Sequence, residues 1–204
     1  MIKEMMRFVV ILGLVTALSA GALALVNQIT DPVIQTRGRE ALAAAVTLVL
    51  PGSEGGLILT HDQNGETGYF AGFRNPDTTD LIGYAFRSSS QGYSSTIQTL
   101  VGVDSSGSIL AIHVLSQQET PGLGTRCQEI RRGETEPWWQ AQFKGKRISE
   151  VAVDKDNGII QSITGATITS RAITDGIRKQ VHGLLPRWNT EAKGQASRPN
   201  RSGS

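Results

Sequence analysis

Ser162-Ile163-Thr164-Gly165-Ala166-Thr167-Ile168-Thr169-Ser170 sets a cluster of hydroxyls and a glycine directly ahead of an amphipathic stretch. Beyond it Ala172, Ile173, Ile177, Val181, Leu184 and Leu185 recur on one face, which predicts a helix over about 169–185 that Pro186 stops. Thr167 therefore stands at the mouth of that helix. Such a mouth presents backbone N–H groups with no intrahelical acceptor and the positive end of the macrodipole, so it stabilises a phosphate without any cationic side chain. Thr164, Thr167 and Thr169 read equally as ordinary N-cap residues beside a glycine turn. The stretch alone leaves both readings open.

Upstream of it, short β-rich runs alternate with turn residues. They cover 57–60, 68–74, 81–88, 97–103 and 109–115, with a further strand expected over 148–153. Asn75-Pro76-Asp77 and Asp104-Ser105-Ser106-Gly107 are turn signals, and links this short favour an antiparallel sheet. A short helix is expected around 137–143. The pattern is α+β: a twisted, mainly antiparallel sheet with flanking helices.

The N-terminal part reads differently. Residues 8–26, FVVILGLVTALSAGALALV, carry no charge and have the length of a transmembrane helix. A cleaved signal peptide shares the basic start and the small residues at Ala20, Ala22 and Ala24, but its apolar core is only about 7–15 residues long. Lys3 and Arg7 favour a cytoplasmic N-terminus, which sends the remainder across the membrane. The expected organisation is thus a cytoplasmic start (1–7), a single membrane helix (8–26) in the lipid bilayer and a stalk helix (27–52) opened by Asp31-Pro32. A periplasmic domain (53–188) and a polar, disordered tail (189–204) follow.

Composition narrows the function. The 204 residues carry 20 basic against 18 acidic side chains, a net charge of +2, which gives no nucleic-acid signature. Cys127 is the sole cysteine, so an internal disulfide and a cysteine-based zinc or iron–sulfur site are excluded. Its arginine-rich neighbourhood favours a reactive thiol and its apolar character a buried one. His61, His113 and His182 lack metal-ligand spacing, so no metal is expected.

Thr164-Gly165-Ala166-Thr167-Ile168-Thr169-Ser170 resembles the flavinylation motif of the FMN-binding domain found in the G subunit of the Rnf electron-transport complex and the C subunit of the Na+-translocating NADH:quinone reductase. Glu119-Thr120-Pro121-Gly122-Leu123-Gly124-Thr125 is similar to a second segment of the same family. Arg171-Ala172 after the motif makes the Rnf protein the nearer relative. The family motif usually opens with an Asp where this chain has Gln161.

The resemblance implies FMN held covalently through a phosphoester on Thr167. Thr164, Gly165, Ala166, Ile168, Thr169 and Ser170 would cradle the phosphate, through the N–H groups of Ile168, Thr169 and Ser170 and the hydroxyls of Thr164 and Thr169. Gly122, Leu123 and Gly124 would approach the ring closely, Glu119 and Thr120 would reach its polar edges, and Tyr93 is a weaker stacking candidate. No residue beside Thr167 activates its hydroxyl, so a separate flavin transferase is implied. The function implied is electron relay within an ion-translocating complex of the bacterial inner membrane, coupling ferredoxin and NAD to Na+ or H+ transport. Other membrane subunits are its partners, and this chain is catalytically incomplete alone. A free-standing periplasmic flavin carrier or reductase, and a cofactor-less scaffold, are the alternatives.

Overall fold

The computed structural model describes residues 2–61 and 67–196. The chain forms two compact units dividing after Ala44.

The first unit is helical. Helix α1 spans Ile2–Val49, 48 residues without a break, and at 1.5 Å per residue measures about 72 Å. Among the described residues it is the one helix long and apolar enough to cross a bilayer. Asp31-Pro32 does not open a separate stalk helix, as the sequence predicts, because Pro32 lies inside α1. The Asp31 carboxylate accepts from Gln35 Nε2 at 2.9 Å, one turn on, rather than from backbone N–H groups that a cap would serve. Proline's fixed φ is itself helical, so the helix continues at the cost of one missing hydrogen bond and of the ring's crowding against the carbonyl one turn back.

The second unit is an antiparallel meander. Strands β1 (Gly56–His61), β2 (Thr67–Phe73), β3 (Leu81–Gln91), β4 (Thr96–Asp104) and β5 (Ile109–Ser116) lie side by side in chain order. Every neighbouring pair is antiparallel. Helix α2 (Trp138–Ala141) and helix α3 (Thr167–Ala196) complete it.

The core follows from the apolar spacing. Ile173, Ile177, Val181 and Leu184 make the buried stripe of α3, meeting Phe86, Ile97, Val101 and Val114 of the sheet, and Trp139 and Phe143 around α2. Each such side chain, fully buried, contributes about 1.5–3 kcal/mol. Ala45, Val46, Val49 and Leu50 are also buried.

Three further expectations are corrected. Residues 148–153 are not a strand: a 3-10 turn at Ile148–Glu150 is followed by an isolated bridge from Val153 to Ile160. Ile148, Val151 and Val153 are each buried separately, so an apolar-rich run here does not require a strand. Helix α3 starts at Thr167 instead of 169, and it passes through Pro186 to Ala196. The tail expected to be disordered from 189 is therefore helical as far as 196, and positions 197–204 lie outside the described residues.

Candidate functional site

The start of α3 is built by its own sequence. Ala166 N–H donates to the Ile163 carbonyl at 2.8 Å, closing a four-residue turn. Gly165 occupies the third position of that turn at φ +79°, as a type II turn requires. An added Cβ there would also come 3.0 Å from Leu123 Cδ2. The Ala166 carbonyl then accepts from the Ser170 N–H and from the Ser170 hydroxyl, each at 3.1 Å. Ser170 Oγ in turn accepts from the Ile163 N–H at 3.0 Å.

These bonds decide which groups remain available. Among the described residues the N–H groups of Thr167, Ile168 and Thr169 have no protein acceptor, and they point out of the helix start. The N–H of Ser170 is taken, which removes it from the predicted phosphate cradle. Its side chain is fully buried and holds the turn to the helix.

A cleft of about 540 Å³ opens at this point, lined by Tyr93, Glu119, Thr120, Leu123, Gly124, Gly165, Ala166, Thr167, Ile168 and Thr169. The volume suits a ligand of coenzyme size. Nine of these ten are predicted site residues from two stretches about 40 positions apart, joined by Tyr93, the weaker stacking candidate. Thr167 is half-buried, while Ile168 and Leu123 are exposed at 51% and 42%. Three predicted residues do not line the cleft. Thr164 is exposed on the turn, Gly122 donates its N–H to Thr125 Oγ1 at 3.0 Å, and Ser170 is buried behind.

Glu119 is placed otherwise than expected. It is 4% exposed, and its carboxylate accepts from the N–H groups of Tyr93, Ser94 and Ser95 at 3.1, 3.0 and 3.0 Å. The Thr169 hydroxyl donates to the same carboxylate at 2.5 Å. Burial opposes ionisation, but the Thr169 hydroxyl and these three backbone donors outweigh it and hold the pKa below the ordinary carboxylate value. Glu119 therefore has its acceptor sites filled by the protein, and the Thr169 proton is committed to Glu119 rather than to a phosphate. Gly124 admits this pairing: a Cβ there would sit 2.6 Å from Glu119 Cβ and 2.7 Å from Thr169 Oγ1.

Further struts fix the approach to the helix. The Trp139 indole donates to the Gln161 carbonyl at 2.8 Å, and the Gln161 N–H donates to Gln142 Oε1 at 2.9 Å. The Gln161 side chain is exposed. Asp154 accepts from the Ser162 N–H at 3.0 Å, and Arg171 grips Asp156 with two bonds of 2.7 Å. Sequence reasoning missed Ser94, Ser95, Asp154 and Asp156, whose partners lie 8 to 25 positions away. Cys127 is fully buried, and burial first, with the Glu119 charge second, pushes its thiol up to about 12, so the inert reading holds.

The family model of the FMN-binding domain matches residues 92–182, and that of the RnfG N-terminal region matches residues 1–49. The chain is 33% identical over 194 residues to the G subunit of the ion-translocating oxidoreductase complex of Pseudomonas aeruginosa, covering 87% of each chain. It is 27% identical over 196 residues to the G subunit of the Na(+)-translocating ferredoxin:NAD(+) oxidoreductase complex of Acetobacterium woodii, covering 88% of this chain and 91% of that one. Among solved structures, the C subunit of the Na(+)-translocating NADH-quinone reductase from Parabacteroides distasonis matches with a TM-score of 0.47 and 25% identity, over 59% of this chain and 62% of that one.

Proposed function

The chain belongs to the family of G subunits of ion-translocating oxidoreductase complexes, and from that premise we propose that it is an electron-relay flavoprotein whose FMN is held as a phosphoester on Thr167. The observation that carries the proposal is the meeting of the two motif stretches in one cleft at a helix start with three unpaired N–H groups.

The residues present fit the group. The N–H groups of Thr167, Ile168 and Thr169 receive phosphate oxygens at the positive end of a 30-residue helix. Leu123, Ile168 and Tyr93 offer the apolar and aromatic surface that a flavin ring requires. Bound FMN supplies electron transfer, one or two electrons at a time. The protein's part is to anchor the phosphate, orient the ring and leave an edge of the cleft open towards a neighbouring redox centre.

Attachment would form a bond between Thr167 Oγ1 and the phosphorus as a P–O bond to the leaving group breaks and the threonine proton is lost, so that the product is the chain plus FMN less one water. The single carboxylate in the cleft wall is saturated with donors, which leaves no base there to activate the hydroxyl. A flavin transferase therefore supplies the activation, and the exposed Gln161 side chain, on a backbone pinned at both N–H and carbonyl, lies on the surface such an enzyme would read.

The domain organisation follows the same reading. The apolar part of α1 anchors the chain in the inner membrane, Lys3 and Arg7 keep its start in the cytoplasm, and the flavin domain lies on the periplasmic side. Its partners are the other membrane subunits of an Rnf-type complex that couples ferredoxin and NAD to Na+ or H+ movement, and it completes a reaction only within that complex. In-gel flavin fluorescence of the denatured chain from its native membranes tests the attachment. A fluorescent band that Thr167→Ala abolishes supports the proposal, and a dark wild-type band refutes it.

A further inference from the structure

The loop between β3 and β4 has one backbone bond of its own, Gly92 N–H to the Ser95 carbonyl at 2.8 Å. At its tip Tyr93 is 70% exposed, so its ring is aimed by the backbone beneath it rather than by packing. Three successive N–H groups of this loop converge on one carboxylate, that of Glu119, forming the kind of anion nest that backbone donors make. Here the anion comes from the chain itself. The same carboxylate takes the Thr169 hydroxyl from the first turn of α3.

We propose that Glu119 is a positioning residue, a clasp that locks the Tyr93 loop to the first turn of α3 and so sets the aromatic wall of the cleft relative to Thr167. This rests on the flavin reading for its purpose, since the wall would lie against the ring, but the clasp itself is a property of the chain without its cofactor. Its bonds join positions 24 to 50 residues apart, so each can be cut singly. Thr169→Val removes the hydroxyl donor and keeps the shape. Glu119→Gln offers one oxygen in place of two, leaving a loop N–H facing an amide that cannot accept.

The test uses the full-length chain in detergent, with circular dichroism to establish that each variant is folded, and reads amide hydrogen exchange at Tyr93, Ser94 and Ser95. Folded Thr169→Val and Glu119→Gln are each expected to exchange there roughly tenfold faster or more, and Thr169→Ser to restore the parent rate. A second reading is the emission of attached flavin. Both variants raise it, and Tyr93→Ala raises it as well without speeding exchange at Ser94 and Ser95. Unchanged exchange in folded Thr169→Val overturns the clasp whatever Glu119→Gln does. A wild-type chain without flavin sinks the flavin reading, and the exchange data still decide the clasp.

Discussion

Replacing Ser170 by alanine removes one hydroxyl whose two bonds can be followed separately. The Ala166 carbonyl keeps the Ser170 backbone N–H at 3.1 Å and is not orphaned. The Ile163 N–H loses its acceptor at 3.0 Å in a site from which water is excluded. An orphaned buried donor costs about 1–3 kcal/mol, and the better helix propensity of alanine returns about 0.5 kcal/mol. The net loss is about 0.5–2.5 kcal/mol, or about 1–10 °C in Tm for a domain of this size. The change also frees the turn that delivers Thr167 to the helix start, so flavin attachment on coexpression with the transferase should fall. Thermal unfolding of full-length Ser170→Ala in detergent, with flavin content measured alongside, checks both effects. An unchanged or raised Tm would refute the assignment of this hydroxyl as the brace between turn and helix.

Gly165→Ala forces a β-carbon into a left-handed turn position and against Leu123, and should cost about 1–2 kcal/mol for the backbone alone; chemical denaturation measures it. Acid should loosen the clasp in a definite direction. Glu119 titrates below its ordinary 4.5 when folded, so its ionised form stabilises the chain above that pH and the contribution drains away as the pH falls through the lower folded value. Glu119→Gln is accordingly expected to show a shallower loss of stability on acidification than the parent, and equal slopes would contradict this. Cys127, fully buried with its thiol at about 12, should resist iodoacetamide at pH 8 in the folded protein and react after denaturation.

The sheet is largely legible because each strand carries its own β-rich run and the links at 75–77 and 104–107 carry turn signals, so the five strands appear within a few residues of their observed ends. The errors lie where local chemistry has two outcomes. Pro32 and Pro186 signal boundaries in the sequence, yet a proline's φ also fits a helix, at the cost of one hydrogen bond and of crowding against the preceding turn. Ile148, Val151 and Val153 are a short apolar-rich run that reads as a strand, but each is buried separately and the backbone between them forms no strand.

The site is legible as two stretches but not as a set of roles. The Ser170 N–H and the Thr169 hydroxyl look like phosphate ligands in sequence because polar groups at a helix start serve ligands and the fold alike. Only the three-dimensional partners, the Ala166 carbonyl for the one and the Glu119 carboxylate for the other, show that these two groups are committed internally. The pairing of Glu119 with Tyr93, Ser94 and Ser95 joins segments that no local pattern connects.

The Thr167 phosphoester is a single bond, and mass spectrometry of the tryptic peptide 156–171 from protein isolated from its own membranes, with fragmentation to locate any adduct, reads it directly. The expected result is a gain of one FMN less one water, placed on Thr167 and not on Thr164 or Thr169. An unmodified peptide, or an adduct on either neighbouring threonine, would contradict it.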